Sequence, residues 1–152
     1  MLNPKPRIPW MNTAYSLIGT QAKRTDMSNR KIMEWAKIAQ LDNEYTNDRI
    51  AWCGLFVSFC MADNGLPIVE SPLWAKSWNT YGKKLSTPEF GAILIFTRNG
   101  GGHVSFYVGE GPPGYFKILG GNQAAGHEVC IENHSASSLI GVRWPPGMEK
   151  FL

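Results

Sequence analysis

The stretch 47-NDRIAWCGLFVSFCM-61 decides how this chain is read. It opens on polar residues, turns into a dense apolar run, and is halted by DNGLP at 63–67, where Gly65 and Pro67 are stop signals. A run of that length predicts a helix over 52–63 rather than a strand. The helix carries two of the three cysteines. Cys53 falls at its start, where free N–H groups and the positive end of the helix dipole favour a thiolate. Cys60 falls about two turns later, on the side of Phe56 and Val57, where burial favours an inert thiol. Free cysteines are among the most buried residue types, so Cys53 taken alone also reads as core.

Outward from that helix, the two halves of the chain follow different periods. Before it, 11–19 reads as a short helix ending at Gly19. The segment 28–41 reads as a helix with Ser28 as N-cap and Ile32, Trp35, Ala36 and Ala39 on one face. A short fourth helix is expected over 73–82. After Pro88 the pattern becomes that of strands, at 91–96, 103–110, 115–121, 127–134 and 139–144, separated by turns such as TRNGGG and GPPG. In 103–110, His103, Ser105 and Tyr107 face one way and Val104, Phe106 and Val108 the other. Helices followed by a meander of strands predict an α+β domain with an antiparallel sheet. No domain boundary is read inside the chain, and 1–152 is expected to be a single domain.

Composition narrows the function classes. A chain of 152 residues, 43% hydrophobic and 18% charged, has the balance of one globular domain with a proper core. The net charge is +3 without any Lys/Arg block, which argues against a nucleic-acid partner. No apolar run approaches the roughly 18 residues of a membrane span, so no membrane insertion is expected. Residues 1–15 contain no apolar h-region and read as lacking a secretory signal. Three cysteines, an odd number, suggest reduced thiols made in a cytoplasm.

A cysteine nucleophile needs a base within reach, and the base needs an orienting group. His103 opens its strand directly after RNGGG, where the glycines leave room for a substrate. If 103–110 and 115–121 form a hairpin, Asn122 at the end of LGGN lies beside His103 and fixes its ring; Gln123 is the alternative. Metal chemistry fits less well. His127, Cys130 and His134 do not share one strand face, and Asp42, Glu44 and Asp48 lack calcium-loop spacing, so no metal and no cofactor are expected. Of the six tryptophans, Trp35 reads as core. Trp52 is a candidate wall of the cleft. Trp74 and Trp78, four apart, are candidates to line a substrate groove or to cover the sheet.

Taken together, AWCGLFVSFCMADNG, SW, GAILIF, GGHVSFYVGE, ILGGNQ and IGVRW resemble the papain-like NlpC/P60 and CHAP peptidoglycan hydrolases, most of all a small phage- and prophage-borne branch. The resemblance covers about residues 10–146. It implies a papain-like α+β fold with Cys53 as nucleophile, His103 as general base and Asn122 as the third, polar residue. Many CHAP members carry an acidic residue two positions before that one; here it is Gly120. The implied activity is cysteine-dependent hydrolysis of an amide in cell-wall peptidoglycan, with Trp52, Trp74, Trp78 and Gln123 contacting substrate. The implied setting is a monomeric phage endolysin, made in the host cytoplasm and released to the wall through a holin. A secreted antibacterial amidase with an immunity partner, and a non-catalytic wall-binding module, are the alternatives.

Overall fold

The computed structural model describes residues 7–152. Part of the N-terminal stretch read for a leader therefore lies outside the described residues. Three helices come first: α1 (Pro9–Ser16), α2 (Arg30–Ile38) and α3 (Cys53–Ala62). A 3-10 helix, Ala75–Thr80, follows. Six strands complete the chain: β1 (Lys83–Lys84), β2 (Ile93–Arg98), β3 (Gly101–Glu110), β4 (Tyr115–Gln123), β5 (Glu128–Ser135) and β6 (Leu139–Trp144). They form one antiparallel sheet in the order β1-β6-β2-β3-β4-β5. The expected α+β class is the one observed. Among the described residues, no helix is long and apolar enough to cross a membrane.

The helix ends show where local chemistry prevailed over a first reading. The N-cap of α2 is Asn29, whose side chain accepts from the N–H groups of Lys31 and Ile32. Ser28, the expected cap, instead accepts the Asp48 N–H through its hydroxyl. The helix expected over 73–82 is a 3-10 helix of six residues. The two-residue strand β1 had no periodicity to reveal it and exists only by pairing with β6.

The sheet is rolled rather than flat. In the sheet order β6 lies four strands from β5, yet only three residues, Ala136–Ser138, connect them. Across a flat sheet that step would be ~19 Å, beyond the ~14 Å that so short a connection spans. The roll returns the end of β5 to β2, where the His134 ring lies 4.0 Å from that of Phe96, centroid to centroid. Two register shifts favour this curvature, one in β3 between Tyr107 and Gly109 and one in β4 between Gly120 and Gln123.

Helix α3 lies against the sheet, buried on nearly every side. Trp35 of α2 packs on Trp52, Phe56 and Phe59 at 5.9, 5.9 and 5.5 Å between rings. Phe56 meets Phe106 of β3 edge-on at 6.1 Å. Burying each such aromatic stabilises the fold by about 1.5–3 kcal/mol relative to leaving it exposed. At the other end, Trp10 of α1 packs edge-on against Trp144 at 5.2 Å and donates its indole N–H to the Gly91 carbonyl at 2.9 Å.

The loop that leads into α3 is held by Asp48, a completely buried carboxylate. Its Oδ2 accepts from the backbone N–H groups of Lys23 and Asn29, and its Oδ1 from that of Arg24. Burial by itself would push this carboxyl up, but the three N–H donors and Arg24 outweigh it and hold the group below the usual range. Its stabilisation is therefore present above about pH 3.8 and lost as the pH falls through the lowered value. Asp48→Asn would turn an amide N–H₂ toward one set of these donors. It is expected to lower stability at neutral pH by about 1–3 kcal/mol in urea unfolding, with the difference shrinking below pH 4. An unchanged midpoint would show that the loop is anchored elsewhere.

Candidate active site

Cys53 is the first residue of α3, and the open end of that helix faces β3. The Val104 backbone N–H is directed at the sulfur, as are those of Cys53 and Gly54. Cys53 keeps 7% of its exposure, whereas Cys60 keeps none. The two thiols therefore differ in depth: Cys53 keeps a little exposure, and Cys60 is wholly core. Burial nonetheless dominates at both. It pushes the Cys53 thiol up despite the N–H donors and the nearby Arg98 guanidinium, and it pushes Cys60 up much further. The helix-end effect expected to leave Cys53 as a thiolate is thus outweighed.

His103 lies one residue before Val104 on β3 and is 1% exposed. Its Nε2 is 2.8 Å from the Gln123 side-chain oxygen. The Gln123 amide is itself oriented, because its Nε2 donates to the Cys130 carbonyl at 2.8 Å. That fixes Oε1 toward the ring, makes His103 Nε2 the protonated nitrogen, and leaves the lone pair on Nδ1. The sulfur and the ring are neighbours through Val104 rather than joined by a direct hydrogen bond. Burial lowers the imidazole to about 4; Arg98 and His134 act in the same direction, and the Gln123 bond opposes them. The resting pair is therefore a thiol beside a neutral imidazole.

Gln123, not Asn122, holds His103. Asn122 carries its side-chain oxygen 3.1 Å from Nδ1 of His127 and sits in the left-handed region at φ 56°. The reason is a bulge. Between the pairs Gly120↔Cys130 and Gln123↔Glu128, β4 spends three steps where β5 spends two. Strict alternation would put Asn122 on the face of Gly120 and His103, and the extra residue moves Gln123 there instead. Gly-Gly followed by Asn, a residue that tolerates left-handed backbone, was the available signal. Gln123 is 2% exposed, so the expectation of a substrate contact for it is corrected to one of support for the ring.

The tryptophans also separate. Trp52 is completely buried against Trp35, and its indole N–H finds no partner among the described residues; it is core rather than an exposed wall. Trp78 is completely buried and donates to the Pro72 carbonyl at 3.0 Å, which removes it from any groove. Trp74, by contrast, is 64% exposed. Residues four apart share a face on an α-helix but not on a 3-10 helix of three residues per turn, and Trp74 is the cap outside that helix.

One neighbour of the site was missed in the sequence. The His134 ring stacks on that of His103 at 5.8 Å with 5° between planes, and its Nδ1 donates to the Ser135 carbonyl at 3.1 Å. Only the roll of the sheet brings β5 there. Asp48 is fully occupied by backbone donors and is not free to hold a cation. Among the described residues no cluster of three or more His, Cys, Asp or Glu side chains is placed to hold a metal ion.

The family model described as the CHAP domain matches residues 44–122, just over half of the chain, from the loop before Cys53 to the end of β4. No curated protein matches. CHAP domains are typically hydrolases acting on peptidoglycan, and with Cys53 on α3 and His103 on β3 inside the matched span, this chain belongs to the CHAP domain family.

Proposed function

We propose that the protein is a cysteine-dependent amide hydrolase of peptidoglycan, with Cys53 as nucleophile, His103 as general base and Gln123 as the group that orients the base. The observation that carries this reading is the doubly anchored Gln123 amide, which leaves His103 Nδ1 unprotonated next to the residue whose N–H meets the Cys53 sulfur. In the reaction, His103 takes the thiol proton as the sulfur bonds to the amide carbonyl carbon. The oxyanion forms beside the N–H groups at the start of α3. His103 then returns the proton to the departing amine as the C–N bond breaks, and water, deprotonated by the same ring, releases the acid from the thioester. The contact between sulfur and ring tightens when substrate fills the cleft, as catalytic hydrogen bonds do on going from the free enzyme to the Michaelis complex.

The setting we assign is lysis by a phage, with the chain working as a monomer at the cell wall after release by a holin. It rests on the resemblance of the motifs around Cys53, His103 and Gln123 to the phage-borne branch. Directed to the periplasm of a Gram-negative host, the wild type is expected to lyse cells and Cys53→Ala to leave them intact. Lysis by both would remove the wall-hydrolase reading.

On purified peptidoglycan, Cys53→Ala is expected to abolish release of soluble products, and His103→Ala to slow it by roughly a hundred- to ten-thousand-fold. Equal solubilisation by the wild type and Cys53→Ala would exclude a thiol mechanism. Gln123→Ala should lower kcat by about tenfold, the rate equivalent of one ~1.4 kcal/mol hydrogen bond. Asn122→Gly, which keeps the left-handed backbone, should leave kcat within about twofold, the span of a surface substitution. The reverse order would restore Asn122 as the orienting residue. Because the base must be neutral to act, and His103 is lowered to about 4, the acid limb of kcat/KM should fall near pH 4. An acid limb near the 6.5 of an ordinary imidazole would contradict a desolvated base.

A further inference from the structure

The segment 68–76 bridges the two halves of the site. A Cβ on Gly54, the residue after Cys53, would lie 3.2 Å from Leu73 Cα and also meet the Pro72 carbonyl. A Cβ on Gly102, the residue before His103, would lie 3.0 Å from Lys76 Cγ and 3.6 Å from Ala75 Cβ. Trp74 lies in the chain between the residues that make these two contacts and is exposed. The same segment lines a cleft of roughly 520 Å³, formed by Leu41, Ile68, Val69, Leu73 and Trp74 together with Glu44 and Glu70; Leu73, which packs on Gly54 beside Cys53, is part of that lining. Both carboxylates are exposed.

The charge about this segment is polarised. On the His103 side stand Lys76, next to Gly102, and Arg98, close enough to bias the ionisation of Cys53, His103 and His134. On the Trp74 side stand two carboxylates, in a chain whose net charge is +3. An aromatic face with carboxylates beside it suits an ammonium group carried on an aliphatic stem: the ring attracts the cation, the carboxylates pair with it, and the apolar lining accepts the methylenes.

We infer that this cleft is a specificity subsite that takes an ammonium-bearing residue of a peptide, held over Trp74 by Glu44 and Glu70, and so presents the neighbouring amide to Cys53. The inference rests on the hydrolase reading above and names the chemistry that reading leaves open. Its substrate class is a peptide stem with a free side-chain or terminal amine, and an amine consumed in a cross-link or acylated is a poorer substrate.

The test uses soluble muropeptides released by a muramidase from Gram-negative peptidoglycan, either native or exhaustively N-acetylated. For the wild type, acetylation should lower kcat/KM by about fivefold, mainly through KM, the scale of an exposed ion pair. In Glu44→Gln/Glu70→Gln, native substrate should fall to the level of the acetylated one, so that the two become alike. Trp74→Ala should raise KM for both. The subsite is wrong if the wild type cleaves native and acetylated substrates equally, or if the double variant still discriminates between them. If the wild type cleaves neither, it is the hydrolase reading that fails.

Discussion

Everything in this molecule depends on how closely β4 comes to α3. At Gly121 the sheet approaches the helix until a single Cβ would lie 2.6 Å from Phe56 Cβ and 2.8 Å from the Trp52 ring. No real side chain tolerates such distances, so the position requires glycine. That contact presses the start of α3 onto the sheet and sets Cys53 opposite the Val104 N–H. The same strand, two residues later, delivers Gln123 to His103. One close approach thus sets both the depth of the Cys53 thiol and the position of the Gln123 amide that holds the His103 ring. The cysteine half of the site is supplied by a helix and the histidine half by a sheet, and Gly121 is where the two layers are brought into register.

The site's electrostatics follow from that depth. A thiol at a helix start in water would ionise more readily, because the N–H groups there favour the anion. Here burial costs the anion more than those donors return, and it costs the imidazolium more than the Gln123 bond returns. Both groups are therefore pushed toward neutrality, the thiol from below and the imidazole from above. Arg98 stabilises the thiolate and disfavours the imidazolium, so it acts in opposite directions on the charge of an ion pair between them. A neutral pair is the state these forces share. Under the proposed hydrolase reading, such a pair would transfer its proton as the thiol attacks, which places the demand for charge stabilisation at the transition state.

What the sequence disclosed, and what it did not, divides along the range of the interactions. The α+β class was legible because it rests on local periods: about 3.6 residues in 28–41 and two in 103–110. The placement of Cys53 at a helix start and of His103 near a strand start was legible because both are local features. Asn122 was misassigned because a bulge is a single unpaired residue that reverses the face of everything after it, and period alone carries no trace of it. Trp74 and Trp78 were grouped because spacing was read on an α-helix where the chain makes a tighter one. His134 could not be placed at all, because it reaches His103 only through the roll of the whole sheet.

The roll also explains why the base is so well enclosed. A flat antiparallel sheet would leave His103, near the end of β3, with one face in water. Here β5 curves back until His134 covers that face, while Phe96 of β2 supports His134 in turn. His134 donates its Nδ1 proton to the Ser135 carbonyl and is itself held below its ordinary value by burial, so it covers His103 as a neutral ring rather than as a competing cation. With this cover His103 keeps only 1% of its exposure. The curvature of the sheet, favoured by the register shifts beside Gly109 and Asn122, therefore sets the surroundings of His103 as much as the side chains that touch it.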